Sequence, residues 1–230
     1  MGLKKYSRRQ LPPCPDPDSY VMVKTEEGYY WRRKRGTHKK ARLNAALQRN
    51  AATAKITGPA ASRLLRMLEP HTQGIKKGRI SLRIAGLLMK TYHAKGVIDF
   101  SMLTGLELNA AYPLDKLLYN DYVVKQDKRT ISLQLQSGQV QVQNNLATDY
   151  YFDVVLIGGD PSVDGKLTVA ADSSPLYSFA DKNVYDVELV LPLPAAGICW
   201  MLLLKVSCLE GNELAMHPKH YGMKVVKTGE

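Results

Sequence analysis

The sequence of 230 residues lacks the features that direct a protein into a membrane or out of the cell. Its longest apolar run, Ile198 to Leu204, is far shorter than the roughly 20 residues that span a bilayer. The first residues are partly basic but have no apolar stretch typical of an export signal. Three cysteines, widely spaced and odd in number, argue against a disulfide framework. We expect a protein without a transmembrane segment, located in the cytoplasm or within an assembled particle.

Enzymatic motifs are also missing: there is no G-x-S-x-G, Walker A, G-x-G-x-x-G, H-E-x-x-H or EF-hand pattern. His217 and His220 are three residues apart, but Pro218 disfavours a helix there, and a metal needs three or four converging ligands. We interpret the remaining candidates as turn carboxylates and core thiols: Asp160, Asp164, Asp172, Cys199 and Cys208. We therefore expect no enzymatic activity, no cofactor and no metal.

Acidic residues are scarce in the first part of the chain. Residues 1–98 contain 22 Lys and Arg against 5 Asp and Glu, whereas residues 99–230 contain 10 against 16. Positive charge at that density is typical of a surface that binds a polyanion. Nucleic acid or an anionic surface is the expected partner of residues 1–98.

The basic part is predicted to contain an arm, a hairpin and helices. Residues 1–18 end in a proline-rich stretch, which predicts a flexible arm. Two β-prone runs, residues 20–24 and 29–33, flank a turn and predict a hairpin. Helix-favouring composition follows over residues 39–55, and Gly58-Pro59 indicates the start of a separate helix.

A further helix is predicted from Gly78 to His93, because its apolar residues follow a period of 3.6. Basic residues lie on a separate stripe of this pattern. The members of the stripe are Lys76, Arg79, Arg83 and Lys90.

After residue 120 the apolar period changes to two. Residues 131–135 and 140–142 alternate around Ser137-Gly138, which predicts a half-buried hairpin. Further strands are predicted over residues 150–157, 166–170, 184–191, 197–209 and 221–227. The chain is thus predicted to be α+β: a basic arm (1–18), a hairpin and helical region (19–120), and an antiparallel β-sandwich of Ig-like or jelly-roll type (121–230).

Aromatic residues lie directly beside the densest basic run. Proteins that bind single-stranded nucleic acid contact phosphates with cations and stack unpaired bases on aromatic side chains. The adjacency of aromatic and basic residues therefore indicates binding to single strands or flexible nucleic acid. The alternative is an edge hairpin whose aromatics pack inward and whose charges maintain solubility. The candidate nucleic-acid-binding residues are Tyr30, Trp31, Arg32, Arg33, Lys34, Arg35, Lys39, Lys40, Arg42 and Arg49, together with Lys76, Arg79, Arg83 and Lys90.

Several stretches carry a resemblance that covers most of the chain: residues 28–36, Arg42, Arg49-Asn50, Arg63-Leu64-Leu65-Arg66, residues 79–88 and residues 103–109. In this order, before a β-rich end, they resemble an uncharacterised family of small basic bacterial proteins. The resemblance implies helices followed by a β-sandwich, and it implies no catalytic residue. A basic arm before a sandwich is also similar to the general plan of small coat proteins.

The leading hypothesis is a non-enzymatic structural protein that binds DNA or RNA without sequence specificity and self-assembles into a shell or filament as a homo-oligomer. The alternative is a protein-interaction or adhesion module. In that alternative the sandwich contacts a partner, and the basic half docks on an acidic surface.

Overall fold

A computed structural model describes residues 6–7, 10–34, 44–76, 78–119, 121–138, 140–141, 146–162, 164–211 and 213–230. The chain divides into two compact units, residues 1–48 and 49–230. The boundary expected near residue 120 stays a prediction, and one of the two hydrophobic cores of the second unit contains residues from both sides of that position.

The first unit contains the predicted hairpin, formed by antiparallel strands β1 (Tyr20–Thr25) and β2 (Gly28–Arg33). Tyr6 pairs with Tyr29 through two backbone hydrogen bonds of 2.9 and 2.7 Å. Gly28 has a φ of 135°, and a Cβ there would lie 2.7 Å from the carbonyl oxygen of Tyr6. Tyr6 therefore holds its part of the arm against β2, while the flexibility of residues 1–18 stays a prediction.

Helix α1 (Ala45–Leu68) runs without interruption through Pro59, so the prediction of two helices separated at Gly58-Pro59 is wrong. Its buried face continues across the proline, which is itself exposed. Packing of this face outweighs the roughly 3 kcal/mol that an interior proline costs. The buried residues are Thr53, Thr57, Ala60, Ala61, Leu64 and Leu68.

Helix α2 (Ile80–Lys95) confirms the periodicity of the apolar residues, although it begins two residues later than predicted. Ile80, Ile84 and Leu88 are buried on one face. The helix ends at Gly96, whose φ of 74° provides the left-handed cap that glycine adopts without strain. In the part of the chain that the structure describes, no helix is long and apolar enough to cross a membrane.

Strands follow α2 in the described residues, and all their pairings are antiparallel. They are β3 (Val123–Gln126), β4 (Thr130–Gln136), β5 (Asp149–Gly159), β6 (Leu167–Ser173), β7 (Tyr177–Ser178), β8 (Asp186–Pro192), β9 (Trp200–Glu210), β10 (Glu213–Leu214) and β11 (Tyr221–Gly229). A central sheet has the order β10-β9-β5-β6, with β11 also paired to β9 and β7 to β5. A smaller sheet has the order β3-β4-β8.

The central sheet is the middle layer of the second unit, because a separate hydrophobic core covers each of its faces. On one face, Val155 of β5 and Leu203 of β9 pack in a cluster with residues of α1 and α2. On the other face, Val154 and Leu204 pack in a cluster with β4 and β8. The helices and the smaller sheet therefore lie on opposite sides of the central sheet.

The α+β class is confirmed. The predicted hairpin of residues 131–135 with 140–142 is wrong, because β4 pairs with β3 and β8, while Val140 forms only an isolated bridge to Leu118. Val142 lies outside the described residues. Within the residues that the structure describes, neither sheet closes on itself. The helical layer on the second face of the central sheet was not part of the predicted sandwich.

Candidate nucleic-acid interface

The hairpin carries five of the predicted binding residues: Tyr30, Trp31, Arg32, Arg33 and Lys34. The two aromatic side chains are half-buried, whereas the three cations are exposed. Because side chains alternate along a strand, Arg32 and Arg33 point to opposite faces of β2. The end of β2 thus presents positive charge on both faces.

The aromatic and basic side chains of this hairpin also contact the arm. The indole N–H of Trp31 donates to the carbonyl oxygen of Pro12 at 2.7 Å. The ammonium group of Lys34 donates to the carbonyl oxygen of Pro17 at 2.9 Å. This engagement favours the inward-packing alternative for Trp31. Four predicted residues of this unit lie outside the described residues: Arg35, Lys39, Lys40 and Arg42.

Helix α1 adds exposed cations in the second unit. Arg49 is exposed as predicted, and Lys55 and Arg66 are exposed as well. Lys55 and Arg66 are eleven residues apart and therefore share one side of a continuous helix. The sequence pattern did not indicate that these two lie together, because Gly58-Pro59 predicts two separate helices. Arg63 instead donates to the carbonyl oxygens of two residues in the β5–β6 loop, which gives it a structural role.

The predicted stripe on the second helix is brought together only in part. Arg83 and Lys90 lie on α2, seven residues apart, which corresponds to two turns and about 10.5 Å. Arg79 is the N-cap residue, and Lys76 precedes the helix, so the assignment of Lys76 to the helical stripe is wrong. All four side chains are exposed. We call this set, Lys76, Arg79, Arg83 and Lys90, the basic face.

The basic face has little compensating negative charge around it. Residues 49–98 contain ten Lys and Arg and a single acidic residue, Glu69. Among the described residues, no carboxylate oxygen lies within 4 Å of a nitrogen of these four side chains. The first turn of α2 has no acidic residue, so the positive end of the helix dipole adds to the charge of Arg79. The four exposed cations thus give this side of the second unit a positive charge, which the Glu107 carboxylate near Arg83 offsets in part.

A shallow groove of about 420 Å³ runs between α2 and residues 102–106. Arg83 and Lys90 border it, and Leu82 and Met102 beside it are 67% and 45% exposed. The guanidinium of Arg83 donates to the carbonyl oxygen of Glu107 at 2.7 Å, which holds it at the border of the groove. This arrangement offers cations to phosphates and apolar surface to sugars or bases.

The other groups considered in the sequence provide no comparable site. Within the described ranges, no three His, Cys, Asp or Glu side chains converge as metal ligands. Nδ1 of His217 accepts a hydrogen bond from the backbone N–H of Lys219. Burial raises the pKa of Cys199 to about 11 and that of Cys208 to about 12, so both thiols stay protonated at neutral pH.

Comparisons with protein-family models, with curated proteins and with solved structures found no match. The resemblance of this chain to small basic bacterial proteins therefore stays a prediction.

Proposed function

We propose that the protein binds nucleic acid without sequence specificity and serves as a non-enzymatic structural protein. The observation that carries this proposal is the basic face, four exposed cations without a carboxylate partner among the described residues. A polyanion supplies the missing negative charge, and the counterions that it releases drive the binding.

The arrangement of the cations favours contacts with the phosphate backbone over contacts with bases. Arg83 and Lys90 lie about 10.5 Å apart along α2, a span of about three nucleotide steps of a strand. Lys76 and Arg79 extend the charge beyond the start of the helix. Sequence readout requires paired donors and acceptors directed at base edges, whereas these four side chains are cations without an acceptor group. Binding is therefore expected to depend on salt and only weakly on sequence.

We further propose that the protein self-assembles and that its two sheets, which lie behind α2, are the structural part of each subunit. On this proposal, the smaller sheet and the central sheet act as an antiparallel sandwich that forms the body of a homo-oligomeric shell or filament, in the cytoplasm or within an assembled particle. The absorbance ratio at 260 and 280 nm of the purified protein, with light scattering at low and high salt, tests for nucleic acid in a large particle. A clean monomer at both salt concentrations would favour the interaction-module alternative.

The direct test compares two triple variants by fluorescence anisotropy with labelled oligonucleotides. Lys76→Gln, Arg79→Gln and Lys90→Gln together remove three cations of the basic face but keep the hydrogen bond of Arg83. Lys125→Gln, Lys128→Gln and Arg129→Gln remove the same charge from exposed positions on and beside β3 and serve as the matched control.

If each of the three residues contacts one phosphate, the slope of log K against log salt for duplex DNA should flatten by about 2.7 in the first variant. The control should keep the slope of the unmodified protein. Circular dichroism checks that both variants fold. Equal losses in the two variants, or no loss in the first, would refute the assignment of binding to this face.

A further inference from the structure

The outer side of the smaller sheet has charge of the opposite sign. An open groove of about 630 Å³ lies at one end of this sheet and is lined by Asp121, Asp186 and Glu188. Amide groups of β4 orient two of these carboxylates: Gln134 donates to Glu188 at 2.9 Å and Gln136 to Asp186 at 3.3 Å. Among the described residues, no cation lies within 4 Å of the three carboxylates.

The same groove exposes apolar surface. Tyr119 and Val123 line it and are 69% and 51% exposed. β3 forms one edge of the smaller sheet, since it pairs only with β4 in the described chain. An unpaired edge beside apolar side chains is a surface suited to binding another protein. We call this surface, Tyr119, Asp121, Val123, Asp186 and Glu188, the acidic face.

The basic face matches the acidic face in chemistry. Two of its members, Arg83 and Lys90, line the α2 groove together with the exposed apolar side chains Leu82 and Met102. Each face thus has an apolar part flanked by charges of one sign, and the two signs are opposite. The central sheet lies between α2 and the smaller sheet, so the faces are on opposite sides of the second unit.

We propose that the acidic face of one copy binds the basic face of the next copy. Two acidic or two basic faces repel each other, so a two-fold symmetric contact through either face is disfavoured. Contacts between different faces on opposite sides of a subunit are heterologous, and they produce a ring if they close and a filament if they do not. The inference rests on the proposed function in that it names the contact through which the proposed homo-oligomer assembles, while the exposed cations Arg49 and Lys55 of α1 lie outside this contact and stay available to nucleic acid.

The test uses the full-length chain after nuclease treatment, so that nucleic acid cannot hold copies together. The acidic-face variant carries Asp186→Lys and Glu188→Lys, and the basic-face variant carries Lys76→Glu, Arg79→Glu and Lys90→Glu. Asp127→Lys with Glu213→Lys, at exposed acids outside the groove, is the matched control. Sedimentation velocity measures the mass distribution at low and high salt, and circular dichroism confirms folding.

The unmodified protein and the control should form oligomers at low salt that dissociate at high salt. Each face variant alone should remain monomeric. Their equimolar mixture should recover oligomers, because reversed acidic faces then meet reversed basic faces and the unmodified faces meet each other. A monomeric unmodified protein, or face variants whose mixture fails to recover oligomers, would overturn the inference.

Two further measurements separate this inference from nucleic-acid binding. The acidic-face variant should bind nucleic acid at least as tightly as the unmodified protein, because its basic face is unchanged, and the basic-face variant should bind it more weakly. If oligomers form as expected but no nucleic acid binds, the proposed function fails while the contact between copies stands. If either face variant misfolds, Asp186→Asn with Glu188→Gln and Arg79→Gln with Lys90→Gln should each weaken assembly in the same direction.

Discussion

Asp153→Asn is expected to destabilise the protein strongly, whereas Lys205→Met should change its stability little. The two residues lie opposite each other on β5 and β9, with Nζ of Lys205 3.7 Å from a carboxylate oxygen of Asp153. The Lys205 side chain is only 4% exposed and lies over the ring of Tyr221. Burial lowers the pKa of Lys205, which shows that its charge is poorly solvated.

The two variants differ because they leave different groups behind. Asn at position 153 leaves a buried cation without its counterion, a loss of about 3 to 5 kcal/mol in the free energy of unfolding. Asp153 is partly accessible to water, so we expect the lower end, about 3 kcal/mol. In a domain of this size that corresponds to a fall in Tm of about 6 to 12 °C. Met at position 205 removes the charge and packs against Tyr221, so its effect should stay below about 1.5 kcal/mol.

Urea unfolding of the two single variants and the double variant measures these differences. The double variant should recover most of the stability lost by Asp153→Asn, because it has no buried charge. The folded-state pKa of Lys205 is below its unfolded value of about 10.4, so the folded state binds fewer protons and stability rises with pH toward that value. The Asn variant should therefore gain more stability than the unmodified protein as pH rises toward about 10.4. Equal destabilisation by the two single variants would refute this reasoning.

Two other predictions concern the helical core and pH. Leu88→Ala should lower the free energy of unfolding by about 3 to 5 kcal/mol in a urea titration, because Leu88 is fully buried, while the nucleic-acid affinity of the folded fraction stays unchanged. Burial lowers the pKa of His220, with Lys219 and His217 acting in the same direction and Glu210 against it. The folded state thus binds fewer protons, and stability should fall as pH drops below about 6.5, by at most about 1.4 kcal/mol per pH unit for this group. His220→Leu should flatten that dependence between pH 7.5 and 5; an unchanged slope would contradict the role of His220.

Local patterns predicted the elements whose structure depends on nearby residues. The period of 3.6 identified α2, and the alternation of residues 131–135 identified β4. The apolar run before Lys205 indicated the buried strand β9. β3 was missed because it has only four residues and one inward-facing apolar side chain, Val124.

Such local patterns could not predict which distant segments of the chain pair with each other. β4 pairs with β8, about fifty residues further along the chain, instead of with the adjacent run at Val140. The sequence likewise indicated that β5 and β9 are apolar, but not that helices cover one face of them. For the candidate site, the excess of basic residues was visible in the sequence. Which cations lack carboxylate neighbours depends on those distant pairings and became apparent only in three dimensions.

The position of β9 near the end of the chain affects how the protein folds during synthesis. The apolar face of α1 and α2 packs against a sheet whose central strand ends at Glu210, about 115 residues after α2 ends at Lys95. At about 5 to 20 residues per second, a ribosome needs about 6 to 23 seconds to complete that interval. Until β9 is complete, the apolar surface of the helices can be covered only by the β5–β6 pair, which ends at Ser173. A chaperone that binds such surfaces on the nascent chain would therefore find its target before the last strands leave the ribosome.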